Sequence, residues 1–439
     1  MKVKHFRLLV LGNGISAYGS YLNMVALNVF VYQVTGSAFA AGLFMAVRLL
    51  TSVASGFVSG RLVGRFDRKR LMIGSDLVRS VMLLALLPLS DSARLPLLFA
   101  LAFTMGASTT LYQVALRSSV PEIVGAELRL KANGLLVTGR SLAMIAGFAS
   151  SGLVIAQLGY TAAFALNGVT FLISAVMLAL LPIRTRAVAD GATAPEAAGN
   201  AGRWASWALL RAAPLMAAMM AIRAADGLGS SSHNVALPVY SGALDPSNPA
   251  TFISQFWATW AIGHILAQQI SGRYADRTGR TFGEKVFAIG SILMSVAFIV
   301  VFTGLPTVPA IIAALIAGMA DGFTEIVYVT KLQETPDAQR GRMFGISAAV
   351  ENGGFGLGMI VSSALLEVYA PIVVVGAFHG LAVLLCAGFL VVLIRRGRRA
   401  AAPPPDPKAA GAPPEGEPAG PAGPAEPAAD ARAARGGDA

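Results

Sequence analysis

Twelve long apolar runs limit what this chain can fold into. They cover about residues 8–32, 38–59, 71–90, 95–118, 129–156, 161–183, 209–240, 251–271, 284–304, 308–332, 341–366 and 370–394. A helix needs about 20 mostly apolar residues to cross the hydrocarbon core of a bilayer. Only 13% of the 439 residues are charged, whereas soluble domains carry roughly 25%. We therefore predict an all-α membrane protein with twelve transmembrane helices.

Lysine and arginine are distributed unevenly between the loops that join these runs. With the N-terminus placed in the cytoplasm, the inside segments hold the basic clusters and the outside loops hold Arg94 alone. An excess of cations marks cytoplasmic loops. We expect a multi-pass protein of the plasma membrane with both termini in the cytoplasm. The same distribution explains the net charge of +11 without a nucleic-acid partner.

The two halves of the chain repeat one another. The basic segment Ser59-Gly-Arg-Leu-Val-Gly-Arg-Phe-Asp-Arg returns 212 residues later as Ser271-Gly-Arg-Tyr-Ala-Asp-Arg-Thr-Gly-Arg, and Gly19 returns 210 residues later as Gly229. A parallel repeat of this kind predicts two pseudo-symmetric six-helix bundles, 1–183 and 209–396, that rock about a site near the middle of the membrane. We interpret residues 184–208 as a cytoplasmic linker. The Pro- and Ala-rich tail, 397–439, is expected to be disordered because it lacks the apolar residues that form a core.

The second basic segment carries a recognisable pattern. It matches G-x-x-x-D-R-x-G-R at Gly272, Asp276, Arg277, Gly279 and Arg280. This pattern resembles the signature loop of the major facilitator superfamily, which joins the second and third helices of a six-helix repeat. The first copy departs from it, with Gly64 in place of the acid and Asp67 in place of the second glycine. The resemblance implies a loop that controls the conformational change, to which we assign the five matched residues and Gly60, Arg61, Arg65, Arg68, Asp76 and Arg79.

Four further segments resemble the bacterial twelve-helix efflux branch of that superfamily, which includes macrolide and siderophore exporters. They are Phe6-Arg7-Leu8-Leu9, Val31-Tyr32-Gln33-Val34-Thr35-Gly36-Ser37, Arg68-Lys69-Arg70 before Ser75-Asp76-Leu77, and Lys131-Ala132-Asn133-Gly134. The resemblance implies a protein of the bacterial inner membrane and proton-driven export of an amphiphilic small organic molecule by alternating access. Uptake of a nutrient, a lipid flippase and a non-transporting sensor stay open, because a fold does not fix direction or cargo. The expected partners are the small-molecule cargo, protons and the lipid bilayer, and we expect a monomer.

Charged residues inside a span are costly and are functional candidates by default. Asp321 and Glu325 are four residues apart in the tenth run, so both carboxylates lie on one helical face, which Tyr328 extends. We assign these two acids to proton coupling together with Asp226 and Glu351. A structural ion pair with an arginine, or a position near the aqueous end of the helix, is the alternative for Asp321 and Glu325.

Polar residues at helical spacing are candidates for the wall of a cargo cavity. The superfamily resemblance implies that the first, fourth, seventh and tenth helices surround that cavity. In the seventh run Asp226, Ser230 and His233 form one stripe. For His233 the alternative to proton transfer is packing between helices, and for Arg223 it is a self-neutralising pair with Asp226. The predicted cavity residues are Asn23, Ser20, Arg48, Arg140, Arg223, Ser230, His233 and Tyr328.

Two contacts between the halves are also expected. In the superfamily fold the second helix abuts the eleventh, which would bring Arg48 to Glu351. The fifth helix abuts the eighth, which would bring Arg140 to His264 or Gln268. A static buried bridge is the alternative to pairs that break and re-form. Asp76 and Arg79 are interpreted as partners of the signature loop.

Several other classes of protein are excluded by the sequence. It has no G-x-x-x-x-G-K-[ST] phosphate loop, which excludes ATP-driven transport within this chain. It has no H-E-x-x-H motif and only four scattered histidines, so no metal site is predicted. Cys386 is the single cysteine, so no disulfide can form within the chain. We expect no enzymatic activity and no cofactor.

Overall fold

The computed structural model describes residues 3–88, 91–124, 129–182, 210–211, 213–335 and 337–401. The predicted linker, 184–208, and the predicted tail beyond residue 401 lie outside the described residues. Residues Met1–Ile394 form one compact unit. A second unit begins at Arg395, and its described part is the end of the last helix.

The described chain consists of long helices and contains no β-strand. Arg129–Leu180 is interrupted by Gly159, whose φ of 78° is not helical, so we treat residues 129–158 as α5 and 160–180 as α6. The other helices are α1 (Val3–Thr35), α2 (Ala38–Arg65), α3 (Arg68–Leu84), α4 (Asp91–Val124), α7 (Pro214–Leu244), α8 (Pro249–Thr278), α9 (Glu284–Val301), α10 (Thr307–Gln333), α11 (Asp337–Leu366) and α12 (Pro371–Ala401). The predicted all-α architecture with twelve helices is confirmed.

The helices have the length and surface of membrane spans. Seven stretches of the described residues are long and apolar enough to cross a bilayer, and one of them, Ala132–Leu180, contains both α5 and α6. Large apolar side chains such as Leu153 and Leu384 stay exposed along the helices. Such side chains suit a surface that lipid covers, because lipid, unlike water, does not penalise their exposure.

The basic repeat is mostly helical, which differs from the loop that the resemblance implies. Gly60, Arg61 and Arg65 belong to α2, and Gly272, Asp276 and Arg277 belong to α8. The connection after α2 is only two residues, of which Asp67 caps α3 by accepting a hydrogen bond from the Arg70 N–H at 3.1 Å. The helix α8 ends at Gly279, which has a left-handed φ of 63° and therefore favours glycine. The motif thus sets where two equivalent helices stop.

Close helix contacts recur at equivalent positions of the two halves. A β-carbon on Gly106 of α4 would lie 2.3 Å from the Arg48 carbonyl oxygen of α2, and one on Gly318 of α10 would lie 2.0 Å from the Trp260 carbonyl oxygen of α8. Both members of the first contact are 212 residues before their counterparts. Gly147 approaches α1 in the same way that Gly358 approaches α7, 211 residues later. Small residues permit such approaches between membrane helices, so the repeat in sequence is a repeat in packing.

The two bundles meet along two seams, α2 against α11 and α5 against α8. A β-carbon on Gly42 would lie 3.0 Å from the Met359 carbonyl oxygen, and one on Gly152 would lie 3.0 Å from Thr251 Cα. We call the end of the molecule where α2 and α8 stop the basic end, and the end where they start the opposite end. Both contacts lie toward the opposite end.

The α2–α11 seam also carries a hydrogen-bonded contact at the opposite end. Glu367, just after α11, accepts hydrogen bonds from the Phe39 N–H and the Ser37 hydroxyl, both at 2.7 Å. These donors stand at the start of α2, where a helix has unpaired N–H groups and favours negative charge. Glu367 therefore joins the two bundles by capping a helix of the other half.

Candidate transport site

A polar cavity lies within the N-terminal bundle. Its wall comes from α1, α2, α3, α4, α5 and α6, and it includes the predicted residues Ser20, Asn23, Arg48 and Arg140. Arg79 lines the same cavity. Its other polar lining residues are Asn13, Ser16, Tyr21, Thr109, Tyr112, Gln113 and Asn167. The lining therefore contains three arginines and no acidic residue.

Only one of the three arginines is neutralised. Arg79 forms a short salt bridge with the fully buried Asp76, and its guanidinium lies over the rings of Phe171 (4.2 Å) and Tyr112 (5.1 Å). The interpretation of Asp76 and Arg79 as partners of the signature loop is therefore wrong. Both residues lie two or more turns inside α3, where they pair with each other.

The two other arginines have no acidic partner among the described residues. The Arg140 Nε donates a hydrogen bond to the Tyr21 hydroxyl at 2.9 Å. Arg48 lines both the N-terminal cavity and a second cavity between the bundles. That second cavity is bounded on the C-terminal side by Asn234, Phe355 and Met359.

A cluster of charged residues occupies the C-terminal bundle. Arg223 of α7 contacts Asp226 at 2.7 Å, Glu351 of α11 at 3.3 Å and Asp321 of α10 at 4.0 Å. Its guanidinium also lies 5.6 Å from the centre of the Tyr328 ring. The pair of Arg223 and Asp226 is therefore one part of a larger cluster.

His264 of α8 extends the cluster toward the basic end. Its Nδ1 is 3.7 Å from Asp321 Oδ2, and its Nε2 is 3.4 Å from Glu325 Oε2. The cluster thus joins four carboxylates to one arginine and one histidine, across four helices. Exposure rises from 8% for the side chain of Asp226 to 51% for that of Glu325, so the cluster runs from the interior of the bundle to an open face.

A hydrogen-bonded chain supports Glu351. The Ser347 hydroxyl donates to Glu351 Oε1 at 2.5 Å. The Tyr328 hydroxyl is 2.8 Å from Ser347 Oγ and therefore donates to it. Tyr328 itself is almost fully buried. Tyr328 consequently supports the cluster from behind and does not form a wall of the cavity, which corrects its predicted place.

The repeat relates the acidic cluster to the wall of the N-terminal cavity. The counterparts of Asp226, Asp321, Glu325 and Glu351, at offsets of 210 to 212, are Ser16, Thr109, Gln113 and Arg140. All four counterparts line the N-terminal cavity. The four acids therefore occupy positions of the C-terminal bundle that are equivalent to cavity-lining positions of the N-terminal bundle. Sequence comparison of the halves at these offsets identifies Thr109 and Gln113, which the helical stripes alone missed.

Two predicted contacts between the halves are wrong. The seams form as expected, yet Glu351 pairs with Arg223 of its own half and not with Arg48. Arg140 bonds to Tyr21 of its own half and not to His264 or Gln268. Each of these charged side chains therefore takes a partner from its own half although the helices of the two halves meet.

His233 is buried and does not face the cavity. Its ring stacks on Phe298 at 3.9 Å between centroids, and its Nδ1 is 3.1 Å from Nε2 of the buried His379 of α12. The packing alternative therefore describes His233. The next residue, Asn234, faces the second cavity instead, and Ser230 is half-buried on α7 without lining either cavity.

Aromatic rings connect the two charged regions through the α5–α8 seam. Tyr21, which binds Arg140, lies 5.2 Å from Phe148, and Phe148 stacks on Trp257 at 5.8 Å. Trp257 contacts Trp260 at 5.4 Å, and Trp260 stacks on His264 at 5.3 Å. We call these four residues, Tyr21, Phe148, Trp257 and Trp260, the aromatic band. Its members lie on three helices of different halves, so no pattern within one helix indicates it.

The signature residues anchor helix ends. Arg68 donates a hydrogen bond to the Ser118 carbonyl of α4 at 2.7 Å. The neighbouring Lys69 donates to the Ala179 and Leu181 carbonyls at the end of α6, at 2.9 and 2.7 Å. Asp276, Arg277 and Arg280 form no ion pair with another described residue. No group of three or more potential metal ligands occurs in the part of the chain that the structure describes.

Comparison with known sequences gives the family. The family model described as Major Facilitator Superfamily matches residues 9–337 and 260–432. The "Uncharacterized MFS-type transporter YjbB" of Bacillus subtilis (strain 168) is 24% identical over 355 residues, which cover 79% of this chain and 84% of that protein. The "Putative bacilysin exporter BacE" of the same organism is 25% identical over 391 residues, with coverage of 88% and 92%.

Solved structures give the same fold. The nucleoside transporter NupG is similar with a TM-score of 0.71 and 15% identity, covering 90% of this chain and 99% of that chain. A peptide transporter POT in complex with sulfate has a TM-score of 0.68 and 16% identity, covering 90% and 95%. The repeated helices, the two seams and the match to the family model lead to one assignment: this chain belongs to the major facilitator superfamily, a family of membrane transporters.

Proposed function

We propose that the protein exports an amphiphilic small organic molecule from the cytoplasm in exchange for protons. The observation that carries this proposal is the cluster of four carboxylates around Arg223 and His264. Four acids against one permanent cation leave negative charge within a membrane bundle, where uncompensated charge is costly. Protons or a cationic group of the cargo can supply the missing positive charge.

Cargo and protons are exchanged when both bind to the same acidic residues. A cargo that binds at Asp321, Glu325 or Glu351 replaces protons there, and a proton that returns displaces the cargo. Coupling of this kind needs one set of groups whose occupancy alters the balance between two states. Arg223 is suited to link them, because its guanidinium contacts acids of α7, α10 and α11 together.

The arrangement of the seams supports alternating access. With the basic end in the cytoplasm, as its lysines and arginines favour, the contacts of Gly42, Gly152 and Glu367 all close the outer side. The acidic cluster and Arg140 lie on the inner side of these contacts. A cytoplasm-facing state of this form would admit cargo from the cell interior. The likeness to a protein named as an exporter favours export over uptake.

The test uses everted membrane vesicles from a host without its own multidrug exporters. Amphiphilic antibiotics and dyes are first screened for a rise in host resistance. For each hit, vesicles are energised so that their lumen becomes acidic, and lumen acidity is followed with a pH-sensitive dye. Export in exchange for protons predicts that added cargo enters the lumen while the lumen loses acidity.

Matched variants test whether proton exchange depends on the acidic cluster. Asp321→Asn and Glu351→Gln are expected to abolish the cargo-induced loss of acidity, whereas Asp245→Asn, in an exposed loop, is expected to leave it unchanged. Cargo that leaves the lumen together with protons would establish uptake and overturn the proposal. Absence of any solute movement for every compound screened would also overturn it.

A further inference from the structure

The charges that face the centre of the molecule are segregated by half. From this segregation we infer that the cargo is a zwitterion: its anionic group is held by Arg48 and Arg140, its cationic group is held by the acidic cluster, and its apolar body lies in the second cavity, against Met24, Met105, Phe355 and Met359. This inference rests on the proposed transport function and specifies the chemical class of the cargo.

The N-terminal side offers two free cations. Arg48 and Arg140 both line the cavity, and neither has an acidic partner among the described residues. Arg79 is not available in the same way, because Asp76 neutralises it. A carboxylate or phosphate of the cargo would satisfy both arginines, since a guanidinium matches planar, bidentate anions.

The C-terminal side offers the opposite charge. The side chains of Glu351 and Glu325 are 31% and 51% exposed, so a bound molecule can reach them. Arg140 and Glu351 are equivalent residues of the repeat with inverted charge. Equivalent positions of two bundles related by pseudo-symmetry face each other across the centre. The same site thus presents a cation on one wall and a carboxylate on the other.

The second cavity lies between these two regions. Arg48 faces it from the N-terminal half, and Phe355 and Met359 face it from α11. Glu351 precedes Phe355 by four residues, so it lies one helical turn away on the same face of α11. The acidic cluster therefore begins one helical turn from the α11 residues that line this cavity.

The apolar lining of the second cavity fixes the character of the middle of the cargo. Met24, Met105, Phe355 and Met359 line this cavity together with Arg48. An apolar or aromatic body of the cargo would bury surface against them. A purely cationic amphiphile would leave Arg48 and Arg140 without an anion, and a purely anionic one would face the four acids.

The test is calorimetric binding to the purified protein, with matched triads of probes. Each triad contains a zwitterion, its amide (cation only) and its N-acetyl form (anion only). Three scaffolds are used: an aromatic amino acid, an aromatic dipeptide and a rigid arylpiperazine carboxylic acid. A hydrogen bond to a charged group contributes about 1.5–3 kcal/mol, and about 1.4 kcal/mol is a factor of ten in affinity. On at least one scaffold, the zwitterion is therefore expected to bind about 10- to 100-fold more tightly than both singly charged forms.

Variants test which side chains hold the anionic group of the cargo and which hold its cationic group. Arg48→Gln and Arg140→Gln remove no partner of an acid, so they are expected to fold, and they should reduce zwitterion affinity to that of the amide. Arg48→Lys should restore part of the loss. Glu351→Gln should weaken binding of the zwitterion and amide and leave the N-acetyl form unaffected. Arg396→Gln, at the exposed end of α12, is the control and should change nothing.

The inference is overturned if the amide equals or exceeds the zwitterion on every scaffold, or if no zwitterion binds. It is also overturned if Arg48→Gln and Arg140→Gln leave the preference intact. These outcomes differ from failure of the proposed function. Loss of the charge preference with intact proton exchange would refute the zwitterion alone, whereas zwitterion binding without proton-coupled flux would refute the export mechanism alone.

Discussion

Replacing Arg223 by methionine tests whether this residue holds the acidic cluster together. Methionine keeps much of the volume of the side chain and removes its charge. Arg223 has contacts of 2.7, 3.3 and 4.0 Å with Asp226, Glu351 and Asp321. The contact with Asp226 is the most buried, because the aspartate side chain is only 8% exposed.

The expected magnitude follows from that burial. Removing one partner of a buried ion pair costs about 3–5 kcal/mol, because it leaves the other charge uncompensated. For a bundle of this size, each kcal/mol lowers Tm by about 2–4 °C. We therefore expect Arg223→Met to lower Tm by about 6–20 °C. The loss of Arg223 costs less stability at Glu351 and Asp321, because Ser347 and His264 remain beside these acids.

The assay is thermal unfolding of the purified protein in detergent, with Asp226→Asn as the second arm of a double-mutant cycle. Adding Asp226→Asn to the Arg223→Met background removes the stranded charge, so the double variant should be more stable than Arg223→Met alone, with a coupling of about 0.5–3 kcal/mol. An Arg223→Met variant whose Tm stays within about 2 °C of wild type, or a double variant as unstable as the single one, would refute the assignment of Arg223 as the compensating charge.

Two further predictions concern helix contacts. Gly318→Ala places a β-carbon 2.0 Å from the Trp260 carbonyl oxygen, so we expect a loss of at least about 1–3 kcal/mol and a lower yield of folded protein; Gly376→Ala, where nothing lies within 4 Å, should leave Tm unchanged, and equal behaviour of the two would contradict this packing. The Phe39 N–H and a serine hydroxyl hold the pKa of Glu367 below its ordinary value of 4.5, so the closed outer contact is expected to be stable above that range and to weaken as the pH falls through the lowered pKa. Glu367→Ala should weaken it at every pH by about 1 kcal/mol, roughly a fivefold shift toward the open state; spin-label distances between α2 and α11 that are unaltered by the variant would contradict this role.

The sequence was most informative where it repeats itself. The offsets of 210 to 212 identify which helices are equivalent, and they relate Asp226, Asp321, Glu325 and Glu351 to four residues that line the N-terminal cavity. Periodicity also predicts the twelve helices, because a membrane requires long apolar segments. Both signals depend on spacing along the chain, which a single sequence displays directly.

Spacing says less about which way a helical stripe faces. Asp226 and His233 share a stripe, yet Asp226 joins the acidic cluster while His233 packs against His379. The stripe turns into the core of the bundle because α12 contacts α7 closely at Gly229, where a β-carbon would lie 2.8 Å from the His379 ring. Such a contact joins residues far apart in sequence, so periodicity within one helix does not reveal it.

The pattern within a single helix also does not predict which partner a charged residue takes. The seam between α2 and α11 is as expected, but Arg48 does not meet Glu351 because Arg223, on the neighbouring α7, is closer to that acid. Choice among several cations depends on side-chain reach and depth along the helix. A sequence gives the candidates, and only the three-dimensional arrangement selects among them.

The most direct test of proton coupling measures two kinds of flux for one cargo in proteoliposomes. The first is accumulation driven by a pH gradient, and the second is exchange of labelled for unlabelled cargo without a gradient. The double variant Asp321→Asn, Glu325→Gln is expected to lose gradient-driven accumulation and to retain exchange, because Glu351 can still hold the cargo while protons no longer bind at the two neutralised acids. Gradient-driven accumulation with unchanged pH dependence in this variant would contradict the account.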